Sequence, residues 1–406
     1  MTDTQNKEAP NQPYLGNVKI ARVSTVAFFI DTQLHSQISM TIQSGAKVSI
    51  IASDPALNRP IEGSDYFSID IRREISPFAD LLALIKLWKL FREQKFDIVH
   101  STTPKAGLLS VLAGKFAGVP IRIHSYTGQP WVTLNGIKRT LAKLGDRVIG
   151  FLTTACYADS ESQKAFLVSE KLVSADKLSV IGKGSLAGVD IKRFNQGRFS
   201  KSERDSIKES FGISQDSTVL LFVGRIVKDK GVLELIEAFK NLIARSSNTN
   251  LYLLMVGPKE LLNDELGIEE NSDISQKIIF TGYTDFPEQY MAVSDVLCIP
   301  SYREGFGTVV IEAAAMGITT IGSNIYGLSD AIVDGETGVL VKPKNVQDLT
   351  QAIDKIVRET DLRKQLGNNA QARVLNNFSN EVINRLVIEE YSVLLSRLEK
   401  VNDYGG

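Results

Sequence analysis

The chain of 406 residues is longer than one ordinary hydrophobic core supports and points to two domains of roughly 200 residues each. Hydrophobic residues make up 43% and charged residues 23%, with a net charge of −1, the balance of a globular protein. Two cysteines (Cys156, Cys298) and three histidines (His35, His100, His124) are too few and too scattered for a disulfide framework or a zinc site, so no metal is expected.

No apolar run approaches the ~18 residues of a membrane span. The start, MTDTQNKEAPNQPYLGN, is polar and lacks the hydrophobic core of a secretory signal. Residues 1–16 therefore read as a disordered arm and the protein as cytoplasmic. The small net charge hides an asymmetry. Residues 1–195 carry 24 Lys+Arg against 17 Asp+Glu, and the remainder carries 22 against 30. An anionic surface or ligand facing the first half is one candidate cause, and chance composition is the other.

In chain order, strands are predicted at 18–26 (VKIARVSTV), 46–53 (AKVSIIAS), 96–101 (FDIVHS), 120–127 (PIRIHSYT) and around 153–159 (TTACYAD). Helix-length segments such as FADLLALIKLWKLFREQ (78–94) lie between them. The polar stretch 188–212 marks a boundary between a domain at 17–195 and one at 196–378. In the second domain the strand runs are 218–224 (TVLLFVG), 250–257 (NLYLLMVG), 277–282 (KIIFTG), 295–301 (DVLCIPS), 318–323 (ITTIGS) and 338–343 (GVLVKP). Residues 379–406 are expected as a helix returning to the first domain. Apolar runs without alternation fit strands buried on both faces, as in a parallel sheet covered by helices. Repeated strand–helix alternation implies an α/β chain of two doubly wound, Rossmann-like domains facing across a cleft. In such sheets ligands bind beyond the carboxyl ends of the strands, so those ends are where chemistry is read.

One strand end reads Ser301-Tyr302-Arg303-Glu304-Gly305-Phe306-Gly307-Thr308, then VVIEAAAMG. The glycines let a ligand approach the backbone, and a helix starting near Thr308 offers free N–H groups to an anion. Glu304 precedes the turn and Glu312 lies eight residues on. At ~1.5 Å per helical residue the two carboxylates are at most about 12 Å apart, roughly the span from the sugar to the ribose of a nucleotide diphosphate sugar. A carboxylate accepting from vicinal hydroxyls is a ribose clamp. The plainer alternative, a surface glutamate after an ordinary glycine turn, is what a lone Gly-x-Gly would indicate.

A second strand end reads Phe222-Val223-Gly224-Arg225, with Lys230-Gly231 opening the next helix. A cation at a helix start does not serve the helix dipole. Arg225 and Lys230 make sense if a diphosphate lies between them, Arg as a fork and Lys as a point charge. The alternative is a surface ion pair with Asp229 or Glu234, contributing about 0–1 kcal/mol.

Together, Gly-Arg…Lys-Gly, Glu-Gly-Phe-Gly with its second glutamate, and GLSDAIVDGETGVLVKP (327–343) resemble glycosyltransferase family 4. The stretch 97–131 resembles the bacterial members that build capsule, O-antigen or other lipid-linked glycans. The resemblance implies a GT-B fold and a retaining, metal-independent hexosyl or N-acetylhexosaminyl transferase without a cofactor, using a nucleotide-sugar donor, a UDP-sugar above all. It implies that Arg225 and Lys230 hold the diphosphate and that Gly224 sits beside them. Glu304 would contact the transferred sugar, Gly305, Phe306 and Gly307 would offer backbone N–H groups, and Thr308 would lie against the phosphates. Glu312 would hold the ribose and Tyr283 the base. The catalytic set is Arg225, Lys230 and Glu304, which would stabilise the departing nucleotide.

Two departures from the family pattern stand out. The first-strand turn TVAFFIDTQ (25–33) lacks the usual glycines, and Thr127 stands where many members have a histidine. His124, three residues earlier, reads as a hydrogen-bonded histidine within the sheet, so no side chain is assigned as base. His100, Ser101, Thr102 and Lys105 at one strand end, with Tyr126 and Thr127 at another, form a candidate acceptor side for a glycan or polyprenyl-diphosphate-linked acceptor. Residues 78–95 and 136–151 combine basic side chains with Trp88, Phe91 and other apolar residues. Such helices suit an anionic membrane surface, and ordinary solvated domain helices share the pattern. No basic groove interleaved with aromatics suggests nucleic acid. Two rivals remain open: a nucleotide-sugar epimerase or hydrolase of the same fold, and a catalytically inactive scaffold.

Overall fold

A computed structural model describes residues 14–245, 250–269 and 272–403. Of the expected disordered arm, residues 1–13 lie outside the described residues. Its end is ordered: Leu15 is buried, and its N–H donates to the Ser44 carbonyl at 2.7 Å, so the packed domain begins ahead of Asn17.

Two parallel sheets carry the chain. The first contains β1 (Lys19–Val23), β2 (Lys47–Ala52), β3 (Ser64–Ser68), β4 (Ile98–Thr102), β5 (Ile121–Tyr126), β6 (Ala155–Ala158) and β7 (Leu178–Val180), in the order β3-β2-β1-β4-β5-β6-β7. The second contains β8 (Thr218–Val223), β9 (Leu251–Val256), β10 (Ile278–Gly282), β11 (Val296–Ile299), β12 (Thr319–Ser323) and β13 (Gly338–Val341), in the order β10-β9-β8-β11-β12-β13. Each run predicted from sequence coincides with a strand, β4 running one residue past its predicted end. The unpredicted β3 and β7 are both edge strands. Half-exposed SDYFS lacks a continuous apolar run, and LSV is too short to register as one. Strand order reverses between β1 and β4 and again between β8 and β11, so a ligand crevice opens at each of these points.

Strand alternation decides which helices each side chain meets. In β1 and β4, Ile20 and Ile98 face a core shared with the helix His35–Gln43, while Ala21, Val23 and Val99 face the helices Pro77–Gln94 and Pro104–Ala117. After the second sheet the chain passes beside the interdomain linker: Val189 donates its N–H to the Phe378 carbonyl at 2.8 Å, and Asn380 donates to the Val189 carbonyl at 2.8 Å. The final helix, Asn380–Asp403, then places Ile383, Val387, Ile388 and Tyr391 in the first domain's core. Burying each such apolar side chain stabilises by about 1.5–3 kcal/mol.

Candidate active site

The crevice of the second domain is built by the segments after β8 and β11. Residues Lys228–Lys230 form a single turn closed by Gly231, whose φ of +68° lies in the left-handed region. A β-carbon there would sit 2.0 Å from the Pro300 carbonyl oxygen, so glycine lets this turn lie directly on the end of β11. The two segments are then tied together. Tyr302 donates its N–H to the Asp229 carbonyl at 2.9 Å and its hydroxyl to Glu234 at 2.6 Å, and Arg303 pairs with Asp229 at 2.9 Å. The acids considered as partners for Lys230 are thus engaged by the neighbouring loop. Lys230 instead reaches Glu304, with Nζ 2.6 Å from Oε1, and the Ser301 hydroxyl donates to the same oxygen at 2.9 Å. The Lys230 and Glu304 side chains are only 23% and 17% exposed, so solvent screens this pair less than a surface one. Both contacts fall on Oε1 of Glu304.

Arg225 does not join this pair. Its guanidinium lies 3.2 Å from Glu260 and is about half exposed. Gly224 precedes it, with φ of +150°.

After Glu304 the chain turns into the helix Thr308–Ala315, capped by Gly307 at φ +85° without a side-chain hydrogen bond. The first N–H groups of that helix are therefore not taken up by a capping side chain, the arrangement that suits an anion. Phe306 points inward, 5.2 Å from the ring of Phe378, and anchors the turn. Gly305 lies against the first domain: a β-carbon there would be 2.4 Å from the Thr127 carbonyl oxygen and 2.9 Å from Asp159 Oδ2. Ser160 and Ser162 extend the contact, through Ser160 Oγ to the Gly305 carbonyl at 3.4 Å and from Gly327 N–H to Ser162 Oγ at 2.9 Å. Between the domains a cavity of about 260 Å³ is lined by Glu304, Gly305, Gly307 and Thr308 on one wall and by Phe28, Thr32, Thr127 and Asp159 on the other.

A larger cavity of about 870 Å³ shares Phe28 and Thr32 with the first and runs past Tyr283, Arg193 and Glu288. The Tyr283 ring is exposed, 6.4 Å from that of Phe28, and its hydroxyl donates to Asp285 at 2.6 Å. Arg193 pairs with buried Glu288 at 2.8 Å. Glu312 lies close to both. Burial pushes its carboxyl up to about 7; Arg193 opposes this rise and Glu288 adds to it.

On the acceptor side the structure corrects most of the expectation. His100 is buried, not in the crevice: its Nδ1 meets Arg22 and the Tyr391 hydroxyl, each at 2.6 Å, and its Nε2 meets Ser125 Oγ at 2.8 Å. Strand parity carries it to the face covered by the final helix. Ser101 turns to the opposite face, 3.0 Å from His124 Nδ1. Buried Tyr126 donates to the Asp146 carbonyl at 3.0 Å. Lys105 pairs with Asp80 of the adjacent helix. Burial drives both His100 and His124 down, His124 to about 3, so neither is a cation at neutral pH. Of the six residues expected on this side, only Thr127 lines the 260 Å³ cavity.

Four contributors escaped the sequence reading. Phe28 and Thr32 come from a short helix, Ala27–Phe29, that widens into a π-helical turn at Ile30–Leu34, replacing the glycine turn of the family pattern. Arg193 sits in the linker, where nothing local announces a site. Asp159 alone carried a usable signal, a carboxylate directly after a buried strand.

The descriptions of known families match both halves: Glycosyl transferase 4-like domain over residues 30–184, and Glycosyl transferases group 1 over residues 203–373. The chain is 31% identical over 389 residues to the capsular polysaccharide biosynthesis glycosyltransferase CapM of Staphylococcus aureus, covering 94% of this chain and 99% of that one. It is 27% identical to an Escherichia coli UDP-Gal:alpha-D-GlcNAc-diphosphoundecaprenol alpha-1,3-galactosyltransferase, covering 77% of this chain and 80% of that one. A solved glycosyltransferase from Rickettsia africae has the same fold, with a TM-score of 0.77 at 24% identity, covering 93% of this chain and 99% of that one. The paired parallel sheets, the strand-end crevice and these relatives agree: the chain is an enzyme, a GT-B glycosyltransferase belonging to the group 1 glycosyl transferases with a family 4-like N-terminal domain.

Proposed function

We propose that the enzyme transfers a sugar from a UDP-sugar to a lipid-linked or other surface-glycan acceptor, with retention at the anomeric carbon and without a metal. The observation that carries this reading is the Lys230–Glu304 pair beside an uncapped helix start. A diphosphate on the Gly305–Thr308 turn would meet the ammonium of Lys230 and the first helix N–H groups, while Glu304 accepted from a hydroxyl of the sugar. Arg225, now on Glu260, would add a second cation by leaving that carboxylate for the diphosphate. Glu312 and Tyr283 would take the ribose and base. The similarity to an enzyme named for UDP-Gal and a diphosphoundecaprenol acceptor supports both substrate classes.

Contact with an anionic membrane is part of the proposal. The helices Pro77–Gln94 and Gly136–Leu152 both pack on Pro104–Ala117. They expose Phe78, Leu81, Ile85 and Trp88 on one and Ile137, Leu141, Leu144 and Phe151 on the other, among Lys86, Lys89, Lys138 and Arg147. Apolar side chains among lysines and arginines suit an anionic bilayer surface.

Incubation with a panel of UDP-sugars and an alkyl-diphosphate-linked N-acetylglucosamine, following UDP release and glycan product, tests the reaction. Glu304→Ala should lower transfer by roughly 100-fold or more, and Lys230→Ala should weaken UDP binding by calorimetry about tenfold or more. Full activity in Glu304→Ala would remove the site. EDTA should leave the rate unchanged, and strong inhibition would contradict the metal-free mechanism.

A further inference from the structure

Asp159 follows β6 directly and is fixed by its own backbone. Its N–H donates to Gln163 Oε1 at 2.7 Å, and its carbonyl accepts from the Ser185 N–H at 2.8 Å. The side chain is largely buried, touched by the backbone N–H of Leu186, and lines the 260 Å³ cavity opposite Glu304 and Thr308. A single methyl group added to Gly305 would lie 2.9 Å from its Oδ2. A ligand bound against Gly305 is therefore within reach of this carboxylate, which belongs to the other domain. No ion pair offsets its burial among the described residues. A buried carboxylate without a cation is costly, and such groups collect where chemistry needs them.

We propose that Asp159 is the proton acceptor for the acceptor hydroxyl. The hydroxyl oxygen forms its bond to the anomeric carbon as the bond from that carbon to the donor diphosphate oxygen breaks. The electron pair of the broken bond leaves on the diphosphate, and the hydroxyl proton passes to Asp159 Oδ2. This rests on the sugar-transfer reading above, with the hydroxyl approaching on the face from which the diphosphate leaves, as retention in a single displacement requires.

Burial raises the Asp159 carboxyl to about 7, with the Leu186 N–H opposing the rise, which matches a base working near neutral pH. The charged groups around it are few. Glu304 faces it from the donor turn and is held by Lys230; Asp330 lies behind Ser162, which donates to it. Asp31, on the neighbouring π-helical turn, accepts from the backbone N–H groups of Asn58 and Arg59 at 3.0 and 3.2 Å. The segments 127–129 and 184–186 bring no titratable side chain.

The test compares full-length wild type with Asp159→Asn. It uses the UDP-sugar turned over fastest in the panel, the alkyl-diphosphate-linked N-acetylglucosamine as acceptor, and a UDP titration of each protein. Asp159→Asn should bind UDP within about twofold of wild type, which also shows that it folds. Its kcat should fall by about 100-fold or more. In wild type, kcat at saturating donor should climb with pH around 7, and that climb should vanish in the variant. An unchanged kcat and pH profile would overturn the assignment while leaving the transfer reading to Glu304→Ala. Loss of UDP binding in Asp159→Asn would also overturn it, by making the residue part of the donor site or the scaffold. Wild type that turns over no UDP-sugar would overturn the reading beneath it and the proposal together.

Discussion

At the scale of single residues, the site is a set of charges whose worth depends on burial. Glu312 makes the point. Its carboxyl, raised to about 7 by burial with Glu288 adding and Arg193 opposing, is partly protonated at neutral pH. With Glu312 on the ribose as proposed, the ionised form would accept more strongly from its hydroxyls, so affinity for a UDP-sugar should rise as pH climbs through 7 and then level off. The sugar-linked diphosphate does not itself titrate there, which makes it the right ligand for a pH series by calorimetry. Glu312→Gln should bind about tenfold or more weakly above pH 7, from the loss of charge-assisted hydrogen bonds, with a flat pH dependence. Stability runs the other way. A carboxyl whose folded pKa exceeds its unfolded value takes up a proton on folding, so its contribution falls as pH rises from the ordinary carboxylate range through 7. Glu312→Gln should therefore melt at a higher temperature than wild type at pH 8, and a lower one would contradict its burial as a charged group.

At the scale of elements, short turns do most of the positioning. The Lys228–Gly231 turn presents Lys230 because Gly231 lets it rest on Pro300, and the Asp229–Arg303 and Glu234–Tyr302 contacts hold Glu304 opposite. Gly305 does the corresponding work between domains. Gly305→Ala would place a methyl 2.4 Å from the Thr127 oxygen, so the turn must withdraw or the domains must part. Transfer should fall by about tenfold or more, the cost of a misplaced reacting geometry. The UDP titration tells the two apart: binding about tenfold or more weaker marks withdrawal of the turn proposed to hold the diphosphate, and binding within a few-fold marks parting of the domains. A wild-type kcat would show that the two domains need not meet at this turn.

At the scale of the whole molecule, the basic first half and the acidic second half acquire a direction. The two helices that expose apolar side chains among lysines and arginines both belong to the first domain, the half with 24 basic and 17 acidic residues. A basic residue near an anionic bilayer contributes about 1 kcal/mol. Changing Lys86, Lys89 and Lys138 together to Gln should thus weaken sedimentation with anionic vesicles about 100-fold at moderate salt. UDP binding should be untouched. Equal binding of both proteins, or equal binding to neutral vesicles, would dissociate the charge from the membrane.

The amino-acid order alone determined two α/β domains, all their strands but the edge strands β3 and β7, and Lys230 and Glu304 as separate candidate residues, whose pairing only the fold brought about. Buried parallel strands write continuous apolar runs, and the crevice rule then reads chemistry from the residues that follow them. Packing decided the rest. His100 stands at a strand end like Glu304, yet a tyrosine 291 residues later covers it, and no local pattern foretells which sheet face the final helix will bury. Asp159 and Arg193 matter because the second domain comes to lie against them. Their surroundings are set by contacts between distant segments, and burial, which fixes both reach and charge state, exists only once those segments meet.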